Sequence, residues 1–100
     1  GYPVLHNHPE LVSRMLEALE RAAGKGAVRE IPAVTGSEDF GAFTSAAPGF
    51  FWFLTASPHA DRPGAPNHSP LFMIDEKYLQ TGVKALVHVA LEYLRAGGSR

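Results

Sequence analysis

Residues 50–54, Phe50-Phe51-Trp52-Phe53-Leu54, form an unbroken apolar run. Its length suits a strand, and continuous instead of alternating apolarity predicts a strand covered on both faces, as in α/β sheets. Pro48-Gly49 precede it. The other strand-leaning stretch, residues 28–34, places β-branched side chains at Val28, Ile31 and Val34. A strand is expected over its first half, with Pro32 ending it or putting it at an edge. Two strands do not make a stable sheet alone, so the run calls for more sheet than this chain supplies.

Helices flank these stretches. In Asn7-His8-Pro9-Glu10, Asn7 is placed to cap a helix and Glu10 to complete a capping box, with Pro9 tolerated in the first turn. Leu11, Val12, Met15, Leu16, Leu19, Ala22 and Ala23 share one face at helical spacing, and Gly24 and Gly26 stop the helix. Thr35-Gly36-Ser37-Glu38-Asp39-Phe40 reads as a turn into a short helix that runs through about Ala46. Residues 56–70 are rich in Pro, Gly, Ser, Asn and His, a long loop of the kind that carries function. Asp75 is placed to cap the last helix. Its stripe is Leu79, Val83, Leu86, Val87, Ala90, Leu91 and Leu94, it contains Gly82 as a point of close packing, and Gly97-Gly98 end it. The order is therefore helix, strand, short helix, strand, loop, helix. The expected class is α/β: a partial domain belonging to a larger mixed sheet flanked by helices.

Composition removes several functions. The net charge is −1 with histidines neutral, and aromatics are not interleaved with Lys or Arg, which argues against nucleic acid or an anionic membrane as partner. No apolar run is long enough to span a bilayer, and there is no signal-peptide pattern. Without cysteine there is no disulfide framework, thiolate metal site or cysteine nucleophile, which is compatible with a reducing cytosol. A cytoplasmic location is the expectation.

The histidines are His6, His8, His59, His68 and His88. His6 and His8 share one face if their segment is extended, although a solvated segment before a helix is the plainer reading. His88 borders the last helix's apolar stripe, and His59 is ordinary loop surface. His68 lies in the long loop, Ser69 is held extended by Pro70, and Phe72 can anchor the segment. A lone loop histidine is ordinarily polar surface, since metal sites usually show clustered ligands. Glu38-Asp39 follow Gly36-Ser37 at a strand-to-helix turn, where an α/β sheet places ligands. Helix capping by Ser37 or Asp39 explains the same residues. No serine sits in a nucleophile motif.

Three segments together resemble one family. Gly36-Ser37-Glu38-Asp39-Phe40 is similar to the Gly-Gly/Ser-Glu-Asp-Phe motif of the aminoacylase and hippurate-hydrolase type amidohydrolases. His68-Ser69-Pro70-Leu71-Phe72, followed by Asp75-Glu76, resembles their C-terminal His-Ser-Pro-x-Phe motif. Tyr2-Pro3 with Asn7 and Pro9 looks like the junction where the family's lid domain returns to its catalytic domain. The resemblance implies the last quarter of a full member: residues 1–8 the junction, 9–97 the C-terminal part of the catalytic domain, and 98–100 a tail.

It further implies a metal-dependent hydrolase, a metallopeptidase relative, acting on the amide bond of N-acyl amino acids or small peptides. Two divalent ions (zinc, manganese, cobalt or nickel) would complete its site. His68 inherits the role of metal ligand. Gly36, Ser37, Glu38 and Asp39 inherit places lining the active site. The family's other metal ligands, its general-base glutamate and its lid have no counterpart in this sequence. No catalytic residue is therefore expected within the chain, which should be inactive alone and completed by the N-terminal part of the same polypeptide, as a homodimer in the family manner. The competing reading is a stand-alone, non-enzymatic oligomerisation or binding module.

Overall fold

The computed structural model describes residues 1–97. The second glycine of the expected helix stop, Gly98, and the expected tail 98–100 lie outside them. In chain order the elements are α1 (Pro9–Ala23), α2 (Gly41–Thr44), a 3-10 turn (Glu76–Tyr78) and α3 (Leu79–Arg95).

α1 forms as its periodicity predicts and stops at Gly24, whose φ of 103° suits a residue without Cβ and whose amide donates to the Glu20 carbonyl at 2.8 Å. Its start differs from expectation. The N-cap residue is His8, with no side-chain cap bond, and Asn7 is engaged elsewhere. Asp75 does cap the last helical segment, its Oδ1 accepting from the Lys77 amide at 3.1 Å.

α1 packs along α3, and this pairing makes the core. Met15, Ala18 and Leu19 from α1 and Ala85 from α3 are the buried apolar side chains. Polar contacts fix the pair laterally: Arg21 meets Glu92 at 2.8 Å, and the Arg14 guanidinium lies 5.2 Å from the centre of the Tyr93 ring. α3 therefore turns Ala85, with half-buried His88, Val89, Glu92 and Tyr93, toward the chain. The expected apolar stripe, Leu79, Val83, Leu86, Val87, Ala90, Leu91 and Leu94, faces outward and is exposed at every position. The helix is apolar on two faces, and α1 takes the one with the small Ala85 and the two polar anchors.

The α/β expectation is overturned: among the described residues there is no strand and no sheet, mixed or otherwise. Residues 28–34 and 50–54 are irregular chain without ladder partners. A strand is defined by its neighbour, and what lies beside Phe51 is a side chain. Asn7 Nδ2 donates to the Phe51 carbonyl at 2.8 Å while the Phe51 amide donates to Asn7 Oδ1 at 2.7 Å. The His8 amide adds a bond to the Gly49 carbonyl at 3.0 Å.

The 50–54 run is instead held by its aromatics. Phe51 lies 5.5 Å from Phe40 and 5.3 Å from Phe53 between ring centres, and Phe40 lies 5.7 Å from Phe43. Phe50 pairs with Trp52 at 5.2 Å. These tilted and edge-on contacts tie α2, which is shorter than expected, to the run. Gly41 opens α2 directly against the Pro3 carbonyl, which a Cβ there would meet at 2.6 Å. Gly82 provides the close approach expected of it, since a Cβ at that position would reach Leu54 Cδ2 at 3.0 Å. Helix and run are thereby in contact.

Candidate functional site

The loop that carries His68 leaves the apolar run at Leu54 and returns to the 3-10 turn before α3. Its base is closed by the Asp75 amide, which donates to the Ala56 carbonyl at 2.8 Å. Near the first limb, Ser57 Oγ accepts from the His59 amide at 3.1 Å, and Gly64 lies against Ser57 where a Cβ would meet Oγ at 2.9 Å. The closed base and the packing of Gly64 on Ser57 hold the loop's two ends and its first limb together.

His68 stands on a tight turn centred on Ser69. The Ser69 amide donates to the Pro66 carbonyl at 2.9 Å, and the Phe72 amide donates to the Ser69 carbonyl at 3.0 Å. Ser69 Oγ accepts from the Leu71 amide at 3.1 Å. Ser69 is half-buried while His68 is exposed. Three hydrogen bonds thus fix the backbone beside an imidazole that faces solvent. Behind the turn, Leu54, Ala56, Ser57, Gly64, Phe72 and Met73 line an open, mostly apolar cleft of about 200 Å³.

The second predicted cluster behaves differently. Glu38 is half-buried and its Oε1 accepts from the Phe40 amide at 3.1 Å, while its carbonyl accepts from the Gly41 amide at 3.4 Å. Neither Ser37 nor Asp39 caps α2, which has no side-chain cap bond at its N-cap residue Phe40; the Phe40 amide is taken by Glu38. Asp39 is exposed and its carbonyl accepts from the Ala42 amide at 3.0 Å. Gly36 and Ser37 are exposed, and a Cβ at Gly36 would touch nothing within 4 Å, so the glycine is not required by the packing of this chain.

His68 and the 36–39 turn are not joined by any polar contact among the described residues. Nor do three or more His, Asp or Glu side chains gather there at metal-binding separation. As a donor set, the chain fits one imidazole ligand of a divalent ion and not a complete centre. His6 is exposed. His8 is half-buried, and among the described residues its buried Nδ1 has no hydrogen-bond partner. Sequence reasoning did not single out Ser69 as the organiser of the turn, although a serine hydroxyl accepting from the amide two residues on is a known side-chain-to-backbone turn.

Among the described residues no helix is long and apolar enough to cross a membrane. One cation has an altered proton affinity: the Asp75 carboxylate, 3.3 Å from Lys77 Nζ, raises the pKa of that ammonium.

Residues 1–92 match the family model described as peptidase family M20/M25/M40. Thermostable carboxypeptidase 2 of Saccharolobus solfataricus is 33% identical over 92 residues, which are 92% of this chain and 23% of that protein. Thermostable carboxypeptidase 1 of the same organism is 36% identical over 90 residues, 90% of this chain and 22% of its own length. The IAA-amino acid hydrolase ILR1-like 2 of Arabidopsis thaliana is 31% identical over 98 residues, covering 98% of this chain and 22% of that protein. The chain spans about a quarter of the length of these relatives. No solved structure matches it.

Proposed function

Because the chain belongs to peptidase family M20/M25/M40, we propose that it is the C-terminal segment of a cytoplasmic metal-dependent hydrolase of the aminoacylase and hippurate-hydrolase type. The substrate class is an N-acyl amino acid or small peptide, cut at its amide bond. Relatives named as carboxypeptidases and as an IAA-amino acid hydrolase support that class. The single observation that carries the reading is the Ser69 turn: it spends three hydrogen bonds on the backbone around His68 and leaves the imidazole exposed.

A neutral imidazole is a suitable ligand for zinc, manganese, cobalt or nickel, and a rigid backbone limits the entropy lost on coordination. A pair of divalent ions, when bound, supplies Lewis-acid polarisation of the carbonyl and an activated water. This chain's contribution to that centre is His68 alone. Gly36 and Ser37 are exposed and able to line a substrate cleft, Asp39 offers an exposed carboxylate, and Glu38 positions the turn by accepting from the Phe40 amide. The remaining ligands and the general base belong to the N-terminal part of the same polypeptide, and the complete protein is a homodimer.

The test is His68→Ala in the complete enzyme. Hydrolysis of N-acyl amino acids should be abolished and the bound metal content should fall, with the circular dichroism spectrum unchanged. Full activity with full metal occupancy in that variant would remove His68 from the centre.

A further inference from the structure

The turn at residues 36–40 is mostly exposed, yet it is anchored through one buried residue, Gly41. The Gly41 amide donates to the Glu38 carbonyl at 3.4 Å. Its own carbonyl accepts three bonds, from the Ser45 amide at 3.1 Å, Ser45 Oγ at 2.9 Å and Thr44 Oγ1 at 3.1 Å. Gly41 thereby ties the turn to α2, and a displacement of one is passed to the other. It is helical and not among the glycines with positive φ, so backbone freedom is not why glycine stands there.

The reason is a neighbour from the start of the chain. A Cβ on Gly41 would meet the Pro3 carbonyl oxygen at 2.6 Å, and the Pro3 carbonyl carbon and Cγ at 3.4 Å. Backbone next to a ring of fixed φ does not swing aside as a flexible side chain does. Two further contacts come from the same segment. Asn7 bonds both backbone polar groups of Phe51, whose ring centre stands 5.5 Å from that of Phe40. The His8 amide bonds the Gly49 carbonyl at 3.0 Å, and Gly49 in turn lies against Thr44 and Phe40, where a Cβ would meet Thr44 Cγ2 at 2.6 Å and Phe40 Cε1 at 3.4 Å. Pro3 thus acts on the turn directly, Asn7 through Phe51, and His8 through Gly49. The His68 turn is built separately, from the bonds of Ser69 to Pro66 and of Phe72 to Ser69.

We propose that residues 3–8 are the positioning element of the 36–40 turn, with Gly41 and Asn7 the residues through which this segment sets where Asp39 presents its carboxylate. Asp39 is the exposed acid of the turn, and only its carbonyl is used to hold Ala42. The proposal rests on the hydrolase reading above, in which Asp39 lines the substrate cleft. It adds two positioning residues that act on the site without touching substrate.

The experiment is a kinetic double-mutant cycle in the complete enzyme, built from Gly41→Ala and Asp39→Asn. Hydrolysis of an N-acyl amino acid is measured below the thermal transition of the least stable variant, with bound metal determined in parallel. With Asp39 present, Gly41→Ala should lower kcat/KM by about 10-fold or more, since small misplacements of a working group are costly. In Asp39→Asn the same change should cost under about two-fold, because the group through which Gly41 acts is already gone. Metal content should stay at the wild-type level throughout, His68 being held by its own turn. Asn7→Ala carries the same cycle where Gly41→Ala does not fold, since it removes a hold without adding an atom. Equal losses in both backgrounds, or metal lost along with activity, overturn the proposal. If the complete wild-type enzyme cuts no N-acyl amino acid, the hydrolase reading falls, and amide hydrogen exchange decides the positioning. Asn7→Ala should then speed exchange at Gly41 and Ala42 several-fold and leave Ser69 and Phe72 as in wild type; equal acceleration at all four overturns it.

Discussion

Asn7 bonds both backbone polar groups of Phe51, accepting from its amide at 2.7 Å and donating to its carbonyl at 2.8 Å. One side-chain amide thereby serves both backbone groups of the second residue of the apolar run. Asn is the short side chain that can donate and accept at once in this geometry. Asn7→Ala should destabilise the protein by about 1–2 kcal/mol, read as a lower urea midpoint at unchanged slope. Asn7→Asp should be worse at neutral pH, because the carboxylate still accepts from the amide but faces the carbonyl as like charge. Its deficit should shrink as pH falls below ~4, where a protonated acid can donate again. A deficit independent of pH would mean that Phe51 does not use the donor.

Of the glycines that lie close to neighbours, Gly41 and Gly82 should respond differently to alanine. At Gly41 a Cβ would lie 2.6 Å from the Pro3 carbonyl oxygen, a backbone atom that cannot move alone. Gly41→Ala should therefore cost about 1–3 kcal/mol, the usual penalty of overpacking. At Gly82 the nearest atom is the end of the Leu54 side chain, 3.0 Å away, which can rotate aside. The position is inside α3, where alanine is favoured over glycine by ~1 kcal/mol. Gly82→Ala should be neutral or stabilising. Thermal midpoints of the two variants against wild type decide it.

Both long helices were legible in the sequence because each combines a 3.6-residue apolar period with glycine stops or an aspartate cap. The face that α3 turns inward was not legible. Its stripe from Leu79 to Leu94 has the stronger period, yet α1 packs on the side of Ala85, where Arg14 meets Tyr93 and Arg21 meets Glu92. Periodicity reports that a face wants cover and does not say which neighbour supplies it. The run at 50–54 failed as a strand for a related reason: apolar residues in a row specify burial, while a ladder needs a second backbone. At the site, the Ser-Pro sequence after His68 predicted an extended backbone at Ser69, whereas that residue lies in a hydrogen-bonded turn. The bond of Glu38 to the Phe40 amide was not legible, because nothing local distinguishes a carboxylate that accepts from a nearby backbone amide from one that faces a substrate.

Lys77 gives a pH-dependent readout at the start of α3. The neighbouring Asp75 carboxylate raises its pKa above the ordinary 10.5, so the folded state holds the proton more tightly than the unfolded chain does. By linkage, the stabilising contribution is fully present below pH 10.5 and is lost as pH rises through the folded-state value. The side chain is fully exposed, so the effect on stability is small and the titration itself is the better observable. NMR of the Lys77 ε-methylene should show a midpoint above the ordinary 10.5, and Asp75→Asn should lower it. An unchanged Lys77 midpoint in Asp75→Asn would assign the shift to another group.

Ser69 offers a way to separate the position of His68 from its presence. Its hydroxyl accepts from the Leu71 amide at 3.1 Å and does not need to touch a substrate or an ion to matter. Removing it in Ser69→Ala leaves the imidazole in the protein but loosens the turn that presents it. Groups that orient a metal ligand typically account for ~10–100-fold in affinity or activity. In the complete enzyme, Ser69→Ala should therefore weaken metal retention by about 10-fold, within that range, and activity should return when excess metal is added. Ser69→Thr, which keeps the hydroxyl, should restore tight retention. His68→Ala should not be rescued by metal at any concentration. Failure of added metal to rescue Ser69→Ala, with the protein still folded, would show that the turn serves the fold and not the placement of His68.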